Sequence, residues 1–285
     1  MSSLKDRLFM LAQYVLPHHL LSRLAGCIAE CRWTWFKNPL IKWFVKSYQV
    51  NMSEARESNP TAFANFNDFF TRELKPDARS FVEQTGSIAC PVDGAISQIG
   101  DIEAGRIFQA KGHEFSTYDL LGGSLELEKE FAGGKFTTIY LSPKDYHRIH
   151  MPISGTLRKM IYVPGRLFSV SPLTASRVPS LFSRNERAVA IFDTEYGPMA
   201  MVLVGAMIVA SIETVWAGLV TPPKRQRQTL NYQTPIHLEK GDEMGRFKLG
   251  STVILLFGKD AMNWEQALCA DQPVRMGQLL GTSAT

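Results

Sequence analysis

The spacing of apolar and polar residues divides the chain into a helical N-terminal part and a strand-rich remainder. Within residues 1–50, apolar side chains recur at helical spacing from Leu4 and Leu8 onward, and Pro17 is expected to end the first helix. From Cys90 onward, short runs rich in Val, Ile, Thr and Tyr alternate with turns that contain Gly, Pro and Asp. The predicted strands are residues 95–99, 136–141, 155–163, 188–193, 199–204, 207–212 and 253–257.

Strands that follow one another without long helices between them predict an antiparallel β barrel or sandwich. Together with the helical start of the chain, this pattern predicts an α+β fold whose core is the antiparallel barrel or sandwich. We expect three regions: a helical arm at residues 1–50, a polar connector at 51–90 with a short helical turn around 66–74, and a β-rich core at 91–285.

The arm combines aromatic residues with positive charge. Residues 1–50 hold seven Lys and Arg side chains against two acidic ones, which gives +5, so the remaining residues sum to −1 in a chain of net charge +4. Such an arm suits an anionic surface better than a nucleic-acid groove. Lysines beside Trp33, Trp35 and Trp43 are typical of a helix at a membrane interface. Helices packed on the core or on a second subunit fit the pattern equally well.

Neither a spanning helix nor a cleaved leader is expected. The longest uncharged run, residues 196–212, is shorter than the roughly 20 residues that cross a bilayer, and it contains two glycines and a proline. Residues 24–27 resemble a lipoprotein cleavage box, but Pro17 and Arg23 interrupt the apolar stretch that such a box needs. The four cysteines fit neither a zinc motif nor a disulfide framework, so we expect reduced thiols in a reducing compartment.

Three short segments carry residues that catalysis uses, and each has an ordinary alternative. Asp93 stands in a Pro-Val-Asp-Gly segment before a predicted strand, where Asp-Gly is common turn chemistry. His147 and His150 lie three residues apart and could bind a metal, transfer protons or simply lie at the surface, although no further ligand pattern supports a metal. Gly250-Ser251 enters an apolar run, where a turn into a buried strand would look the same.

Taken together, an acid, an imidazole and a hydroxyl are the parts of a system that activates a serine. The Gly-x-Ser-x-Gly turn of ordinary serine hydrolases is absent. Because Gly250 has no side chain, its carbonyl is open to attack by the hydroxyl of Ser251, which would break the peptide bond between them. Elimination from the resulting ester leaves dehydroalanine, which tautomerises and loses ammonia to give a pyruvoyl group.

Several segments carry a resemblance to a known family. Residues 249–252, Leu-Gly-Ser-Thr, resemble the LGST self-cleavage site of phosphatidylserine decarboxylases. Residues 146–152 resemble the double-histidine segment of that family, and 91–94 are similar to its acidic segment. The matches run in order from about residue 60 to about residue 260, while the arm is similar in character more than in residues. Further matches lie at 67–72, 163–170, 185–187 and 204–206.

The resemblance implies a role for each candidate residue. Asp93 and His150 would activate Ser251 for autocatalytic serinolysis of the Gly250–Ser251 bond, which would separate a long β chain from a short α chain. Ser251 would become the pyruvoyl group and serve in place of pyridoxal phosphate. His147 would contact the substrate and is a candidate proton donor. The implied reaction converts phosphatidylserine to phosphatidylethanolamine and CO₂ through a Schiff base between the pyruvoyl keto carbon and the serine amine.

The resemblance also implies partners and a location. The partners are phosphatidylserine in an anionic membrane, the chain's own cleaved α and β chains and a second protomer of a homodimer, with no nucleic acid and no metal. The enzyme would lie peripherally on the cytoplasmic face of a bacterial inner membrane, which favours membrane contact for the arm. Three alternatives stay open: a pyruvoyl decarboxylase of a soluble amino acid, a lipid-binding protein that never cleaves, and a serine hydrolase.

Overall fold

The computed structural model describes residues 4–207, 211–221, 226–248 and 251–284. Its three longest helices lie at the N-terminal end, and the other helices are short connections between strands. The helices are α1 (Leu4–Val15), α2 (His18–Ala29), α3 (Thr34–Tyr48), α4 (Phe66–Phe70), α5 (Thr117–Leu120), α6 (Leu125–Glu130), α7 (Pro172–Ala175) and α8 (Leu181–Arg184).

Helices α1 to α3 confirm the helical prediction for the described part of residues 1–50. Pro17 separates α1 from α2, as expected for a residue that has no backbone N–H. Gln49 ends α3 in the left-handed conformation, at φ 54°. The expected helical turn at 66–74 is present as the shorter α4. Helices α2, α3 and α4 share a core formed by Ala29, Ile41, Phe44, Val50, Phe63, Phe66, Phe69 and Phe70.

The rest of the described chain is mostly antiparallel β-structure. The strands are β1 (Ser87–Ala89), β2 (Gly94–Asp101), β3 (Arg106–Ala110), β4 (His113–Ser116), β5 (Lys135–Leu141), β6 (Arg148–His150), β7 (Gly155–Val163), β8 (Arg187–Thr194), β9 (Gly197–Val204), β10 (Ser211–Thr214), β11 (Gly218–Leu219), β12 (Gln228–Leu230), β13 (Ile236–Leu238), β14 (Glu243–Lys248), β15 (Ser251–Phe257), β16 (Met262–Trp264), β17 (Pro273–Val274) and β18 (Leu279–Ser283).

A nine-stranded sheet forms the centre of the molecule, in the order β12-β7-β8-β9-β15-β5-β2-β17, with β13 also paired to β7. β15 lies in the middle, between β9 and β5. Val253 and Leu255 of β15 belong to the core on one face of the sheet, and Ile254 and Leu256 belong to the core on the other. Because both faces are covered, this strand is apolar at successive positions instead of alternating with polar residues.

Different layers cover the two faces of the sheet. On the face of Val253, the core includes residues of a four-stranded sheet, β11-β10-β14-β6, and of a three-stranded sheet, β1-β18-β16. On the face of Ile254, the core includes the hairpin of β3 and β4 and the short helices α5, α6 and α8. The α+β prediction with a mainly antiparallel core is therefore confirmed. Over the described strands the central sheet is open and sandwich-like, with no closed barrel.

The predicted strands agree with the structure except around residue 210. Met207 lies in a turn and β10 begins at Ser211, while residues 208–210 of the predicted strand lie outside the described part. None of the described helices is both long and apolar enough to cross a bilayer.

Candidate active site

Asp93 lies at the start of β2, held there by a close approach of two strands. A side chain at Gly94 would place its Cβ 2.5 Å from the carbonyl oxygen of Tyr140 on β5, so only glycine fits at this position. The Asp93 carboxylate accepts hydrogen bonds from the backbone N–H of Met276, at 2.9 Å, and from Nε of Arg79, at 3.0 Å. The Asp-Gly pair is thus a packing requirement that also fixes a buried carboxylate.

Arg79 is the main partner of Asp93. Its guanidinium donates to both carboxylate oxygens of Asp93 and to the carboxylate of Glu54, at 2.8 Å. The hydrogen bonds to Asp93 raise the pKa of Arg79, so this guanidinium stays charged. Sequence reasoning missed Arg79 because an isolated arginine in a polar segment carries no motif.

His150 has a hydrogen-bond partner at each ring nitrogen. Nδ1 donates to the carbonyl oxygen of Gly241, at 2.7 Å, and the hydroxyl of Tyr146 lies 3.1 Å from Nε2. Burial lowers the pKa of His150, which favours the neutral ring, and in that ring Nε2 accepts the hydrogen bond from Tyr146. Because both nitrogens are taken, neither one bonds to Asp93, and the structure does not join these two residues directly.

His147 has a free ring nitrogen. Its Nδ1 donates to the carbonyl oxygen of Asp145, at 2.8 Å, and its ring packs on Phe70 at a centroid distance of 4.0 Å. The lone pair on Nε2 is buried and has no hydrogen-bond partner among the described residues. Burial lowers the pKa of His147 to about 3, so the ring is a neutral base near pH 7.

The loop that leads to His147 is held by polar contacts. Asp145 accepts hydrogen bonds from the backbone N–H and the hydroxyl of Ser142, both at 2.7 Å. Burial raises the pKa of Asp145. The buried guanidinium of Arg72 donates to the carbonyl oxygen of Lys144, at 3.1 Å. These contacts fix the backbone that sets the direction of the His147 ring.

Leu249, Gly250 and the side chain of Ser251 lie outside the described part of the structure, but the strands on both sides are described. β14 ends at Lys248, and β15 begins at Ser251, opposite Leu141 of β5. β14 runs antiparallel to β6, with Glu243 opposite His150, while the N–H of Phe247 donates to the carbonyl oxygen of His147 at 3.0 Å. The C-terminal end of β14 therefore lies beside His147, and its N-terminal end lies beside His150.

A cavity of about 640 Å³ opens beside Asp93. Side chains of both charge signs line it. Leu141, the strand neighbour of Ser251, lies between Tyr140 and Ser142, which both line the cavity. The charged residues of the lining are Glu54, Arg72, Arg79, Asp93, Lys144, Asp145 and Arg275. Among the described residues, no group of three or more His, Cys, Asp and Glu side chains could hold a metal ion.

This arrangement of a buried carboxylate, two neutral histidines and a strand that begins with serine can be compared with known proteins. The family model described as phosphatidylserine decarboxylase matches residues 66–282. The chain belongs to this family. A second family model, described as PSD, matches residues 8–49, which are most of the arm. Asp93, His147, His150, Gly250 and Ser251 all lie within the phosphatidylserine decarboxylase match.

Curated members of the phosphatidylserine decarboxylase family align with almost the whole chain. The phosphatidylserine decarboxylase proenzyme of Pseudomonas putida (strain W619) is 66% identical over 281 residues, which cover 97% of this chain and 98% of the relative. The proenzyme of Stutzerimonas stutzeri (strain A1501) is 66% identical over 285 residues, covering 99% and 96%. That of Pseudomonas entomophila (strain L48) is 64% identical over 285 residues, covering 99% of both.

The buried histidines of this family member predict a loss of stability in acid. A histidine whose pKa is about 3 when folded and near 6.5 when unfolded takes up its proton first in the unfolded chain, so stability falls as the pH drops from 6.5 toward 3. Between pH 6.5 and 4.5, His147 alone should reduce the free energy of unfolding by about 2 kcal/mol. Urea unfolding across this range, with Ser251→Ala present to keep one chain, measures the effect.

His147→Phe should show a shallower decline in stability with acid than the parent protein. His237→Gln is the matched control, because it removes a half-exposed imidazole and leaves His147 in place. Equal slopes for His147→Phe and the parent would mean that His147 is not held neutral in the folded protein.

Proposed function

We propose that this chain is a proenzyme that cuts itself between Gly250 and Ser251 and then decarboxylates phosphatidylserine to phosphatidylethanolamine and CO₂. The observation that carries the proposal is the alignment of almost the entire chain, at 66% identity, with phosphatidylserine decarboxylase proenzymes. The Leu-Gly-Ser-Thr segment at 249–252 supplies the bond for self-cleavage.

Self-cleavage uses atoms of the chain and one water molecule. The hydroxyl of Ser251 attacks the carbonyl carbon of Gly250, an ester C–O bond forms, and the C–N bond breaks to leave an amine on residue 251. Removal of the Cα proton then expels Gly250 as a carboxylate and leaves dehydroalanine. After tautomerisation to an imine, water replaces the nitrogen as a carbonyl oxygen and ammonia leaves. A base is needed first at the hydroxyl and then at Cα.

We assign the base for self-cleavage to His150, with Asp93 as its acidic partner. The neutral ring of His150 can accept a proton, since burial lowers its pKa. In the described arrangement Tyr146 occupies Nε2 and Gly241 occupies Nδ1, so the ring must exchange one of these partners before it serves Ser251. Asp93 likewise must share its carboxylate with the bond to Arg79.

Two features fit a pyruvoyl group at residue 251. The backbone of residue 251 is anchored opposite Leu141, whose neighbours on both sides line the cavity. The lone pair on Nε2 of His147 is buried and has no partner among the described residues, and the backbone carbonyl of His147 bonds to the N–H of Phe247, four residues before Ser251. Once formed, a pyruvoyl group supplies an electrophilic carbonyl for the substrate amine and an electron sink for the electrons left by CO₂.

The residues of the cavity would bind and orient the head group. Phosphatidylserine carries an ammonium, a carboxylate and a phosphate, so a lining of mixed sign suits it better than a lining of one sign. Guanidinium and ammonium groups around Arg79 and Lys144 can attract the anionic groups, and Asp93 and Asp145 can attract the amine. We assign protonation of the substrate Cα after loss of CO₂ to His147. Its Nε2 lone pair would first accept the proton that the substrate ammonium loses as the amine attacks, and would then deliver that proton to Cα.

The N-terminal arm would bring the enzyme to its lipid. Ten large apolar side chains in α1, α2 and α3 or just before α3 are exposed, and Trp35 has 71% of its surface in contact with solvent. Exposed aromatic and aliphatic side chains on basic helices are the features of an interfacial surface. We further expect a homodimer of cleaved protomers on the cytoplasmic face of the bacterial inner membrane. The ten side chains are Leu4, Leu8, Leu11, Val15, Leu20, Leu24, Ile28, Trp33, Trp35 and Trp43.

Charge reversal at Lys42 and Lys46 should weaken the binding of the protein to phosphatidylserine vesicles. Both lysines are exposed, and each is worth about 1 kcal/mol near an anionic surface, so the double Glu variant should bind at least tenfold more weakly at low salt. Vesicle sedimentation at two salt concentrations measures this effect. Lys37 is unsuitable for the test because its Nζ is buried and donates to Thr61 O at 3.0 Å.

Arg106→Glu with Lys259→Glu is the matched control for that charge reversal. Both residues are exposed and belong to the β-rich region, outside residues 1–50. Equal vesicle binding by the arm variant and the unmodified protein would mean that α3 packs on protein instead of lipid.

Intact mass and product analysis test the proposed function directly. The purified protein should give two chains, one ending at Gly250 and one beginning with a pyruvoyl group, and it should release phosphatidylethanolamine from phosphatidylserine. A single chain that binds lipid without turnover would favour a non-catalytic lipid-binding protein. Covalent labelling of an intact Ser251 by a fluorophosphonate would favour a serine hydrolase.

A further inference from the structure

A second cavity, of about 580 Å³, lies where the turn between α1 and α2 meets the core. We call it the arm cavity. The described residues that line it include Pro17 and His18 on the helical side and Arg166 and Arg184 on the core side, and none of them lines the cavity beside Asp93. The proposed decarboxylation does not use this cavity.

The backbone fixes the two arginines of the arm cavity side by side. The N–H of Arg166 donates to the carbonyl oxygen of Arg184, and the N–H of Glu186 donates to the carbonyl oxygen of Arg166, both at 2.8 Å. At Gly165 an added Cβ would lie 2.5 Å from the carbonyl oxygen of Arg184, so the two segments cross too closely for any other residue. Two guanidinium groups therefore start from neighbouring and rigid positions.

The positive charge of this pair is not neutralised within the described structure. Neither Arg166 nor Arg184 forms an ion pair with a described carboxylate, and both side chains are exposed. The guanidinium of Arg184 lies 4.9 Å from the ring centre of Phe168. Glu186, the nearby acid in the chain, is buried and accepts a hydrogen bond from Tyr162. Nη1 of Arg184 donates to the carbonyl oxygen of Pro179 at 3.4 Å. An anion would therefore find two guanidinium groups that have no carboxylate partner among the described residues.

His18 adds an unsatisfied polar group to the same cavity. The residue is only 4% exposed, yet neither ring nitrogen has a hydrogen-bond partner of good geometry among the described residues, and the backbone of Gln13 offers the ring only a weak contact. At least one of these nitrogens carries a hydrogen in every protonation state, and a buried donor without an acceptor costs free energy. His19, beside it, donates from Nε2 to the carbonyl oxygen of Gly165 at 2.9 Å and ties the helix to the core. The His18 ring thus lacks an acceptor that a ligand could supply.

The direction of α2 favours a negative charge at the same point. This 12-residue helix begins at His18, and no side chain caps its N-terminus. The backbone N–H groups of a first helical turn and the helix dipole both attract an anion. Leu16 and Leu20 line the cavity and are exposed, so an apolar surface borders the cationic one. A ligand that combines a phosphate with acyl chains matches both surfaces.

We propose that the arm cavity binds the phosphate group of an anionic membrane phospholipid, at a site separate from the catalytic cavity. This inference rests on the proposed membrane association of the arm but not on the decarboxylation. The lipid phosphate would bridge Arg166 and Arg184 and accept the unpaired hydrogen of His18, while Leu16 and Leu20 contact the acyl chains. Occupation of the site would hold the arm against the core at a defined depth in the membrane surface.

Histidine NMR of the full-length protein tests the proposal with two soluble probes. Dihexanoyl phosphatidic acid, below its micelle concentration, presents a lipid phosphate, and inorganic phosphate presents the anion alone. A saturable shift of one histidine ring signal is expected with the lipid, and this signal should be absent in His18→Phe. Arg166→Gln with Arg184→Gln should weaken the lipid titration at least tenfold. Arg106→Gln with Lys259→Gln, the control of equal charge, should stay within twofold.

Each other outcome has a fixed meaning. No saturable shift in the unmodified protein, or equal affinity in the Arg166/Arg184 variant, would overturn the site. Inorganic phosphate binding as tightly as the lipid would overturn the lipid assignment. If the double variant fails a circular dichroism check of folding, Arg184→Gln alone repeats the titration and should bind at least threefold more weakly. Decarboxylation by the unmodified protein is assayed in the same preparation, so lost activity with intact lipid binding would count against the proposed function alone.

Discussion

Replacing Ser251 with alanine is expected to leave a single uncleaved chain of 285 residues that has no detectable decarboxylase activity. Alanine has no hydroxyl to attack the carbonyl carbon of Gly250, so neither the ester nor the pyruvoyl group can form. Intact mass spectrometry reports the cleavage, and the release of CO₂ from carboxyl-labelled phosphatidylserine reports the activity. No other single substitution should reduce the decarboxylase activity more, because Ser251→Ala prevents both the chain cleavage and the formation of the cofactor.

Thr252→Val is the matched control for Ser251→Ala. The hydroxyl of Thr252 is buried in the next position of β15 and has no hydrogen-bond partner among the described residues, so its replacement by an isosteric methyl group should permit cleavage. If the Ser251→Ala protein still separated into two chains, self-cleavage at this bond would be wrong.

The second large effect is expected at His147. His147→Ala should still cleave to an appreciable extent. The turnover number of the cleaved variant should fall by about 10²- to 10⁴-fold, which is the range that a positioned general acid contributes. The reason is that Nε2 of His147 is buried without a partner among the described residues, in a residue whose backbone bonds to Phe247 of β14. Turnover of the isolated cleaved variant is measured, so that incomplete maturation does not mimic a catalytic defect.

His150→Ala and Asp93→Ala serve as the contrast to His147→Ala. Under the proposed assignment both should slow or stop cleavage, and the precursor should accumulate. The exposed His237→Ala should affect neither step. Normal decarboxylation by cleaved His147→Ala protein would remove His147 from the mechanism. Rapid cleavage in His150→Ala together with blocked cleavage in His147→Ala would transfer the role of the base to His147, whose backbone bonds to Phe247 of β14.

The sequence pattern predicts the strands well because burial on both faces leaves a strong signal. The run at 253–257 is apolar at every position, and the structure has it in the middle of the central sheet. The pattern does not predict how the sheets are layered, since pairings such as β6 with β14 join segments far apart in the chain. The pattern also does not show which lysines of the arm are exposed. Lys37 resembles Lys42 and Lys46 in the sequence, but it is buried against Thr61.

In the candidate site, too, the sequence indicates residues that lie in recognisable short segments but not the partners that the fold brings to them. The sequence indicates Asp93, His147, His150 and Ser251 as candidates because their side chains suit catalysis and their segments resemble those of the family. The partners that set their states were not found, because Arg79 reaches Asp93 only through the fold. Nε2 of His147 has no described partner, whereas both ring nitrogens of His150 have one. This difference depends on tertiary contacts to backbone carbonyls and a tyrosine, which the spacing of residues does not predict.

The central position of β15 has a consequence for the refolding of the protein after the proposed cut. The segment that follows residue 250 supplies β15 between β5 and β9, β17 beside β2, and β18 between β1 and β16. Such a fragment stays in place after cleavage by non-covalent contacts alone. Unfolding, however, would release two separate molecules, and their reassembly would depend on protein concentration. The uncut precursor therefore acts as the template for folding, and a mature enzyme that unfolds in dilute solution would not be expected to return.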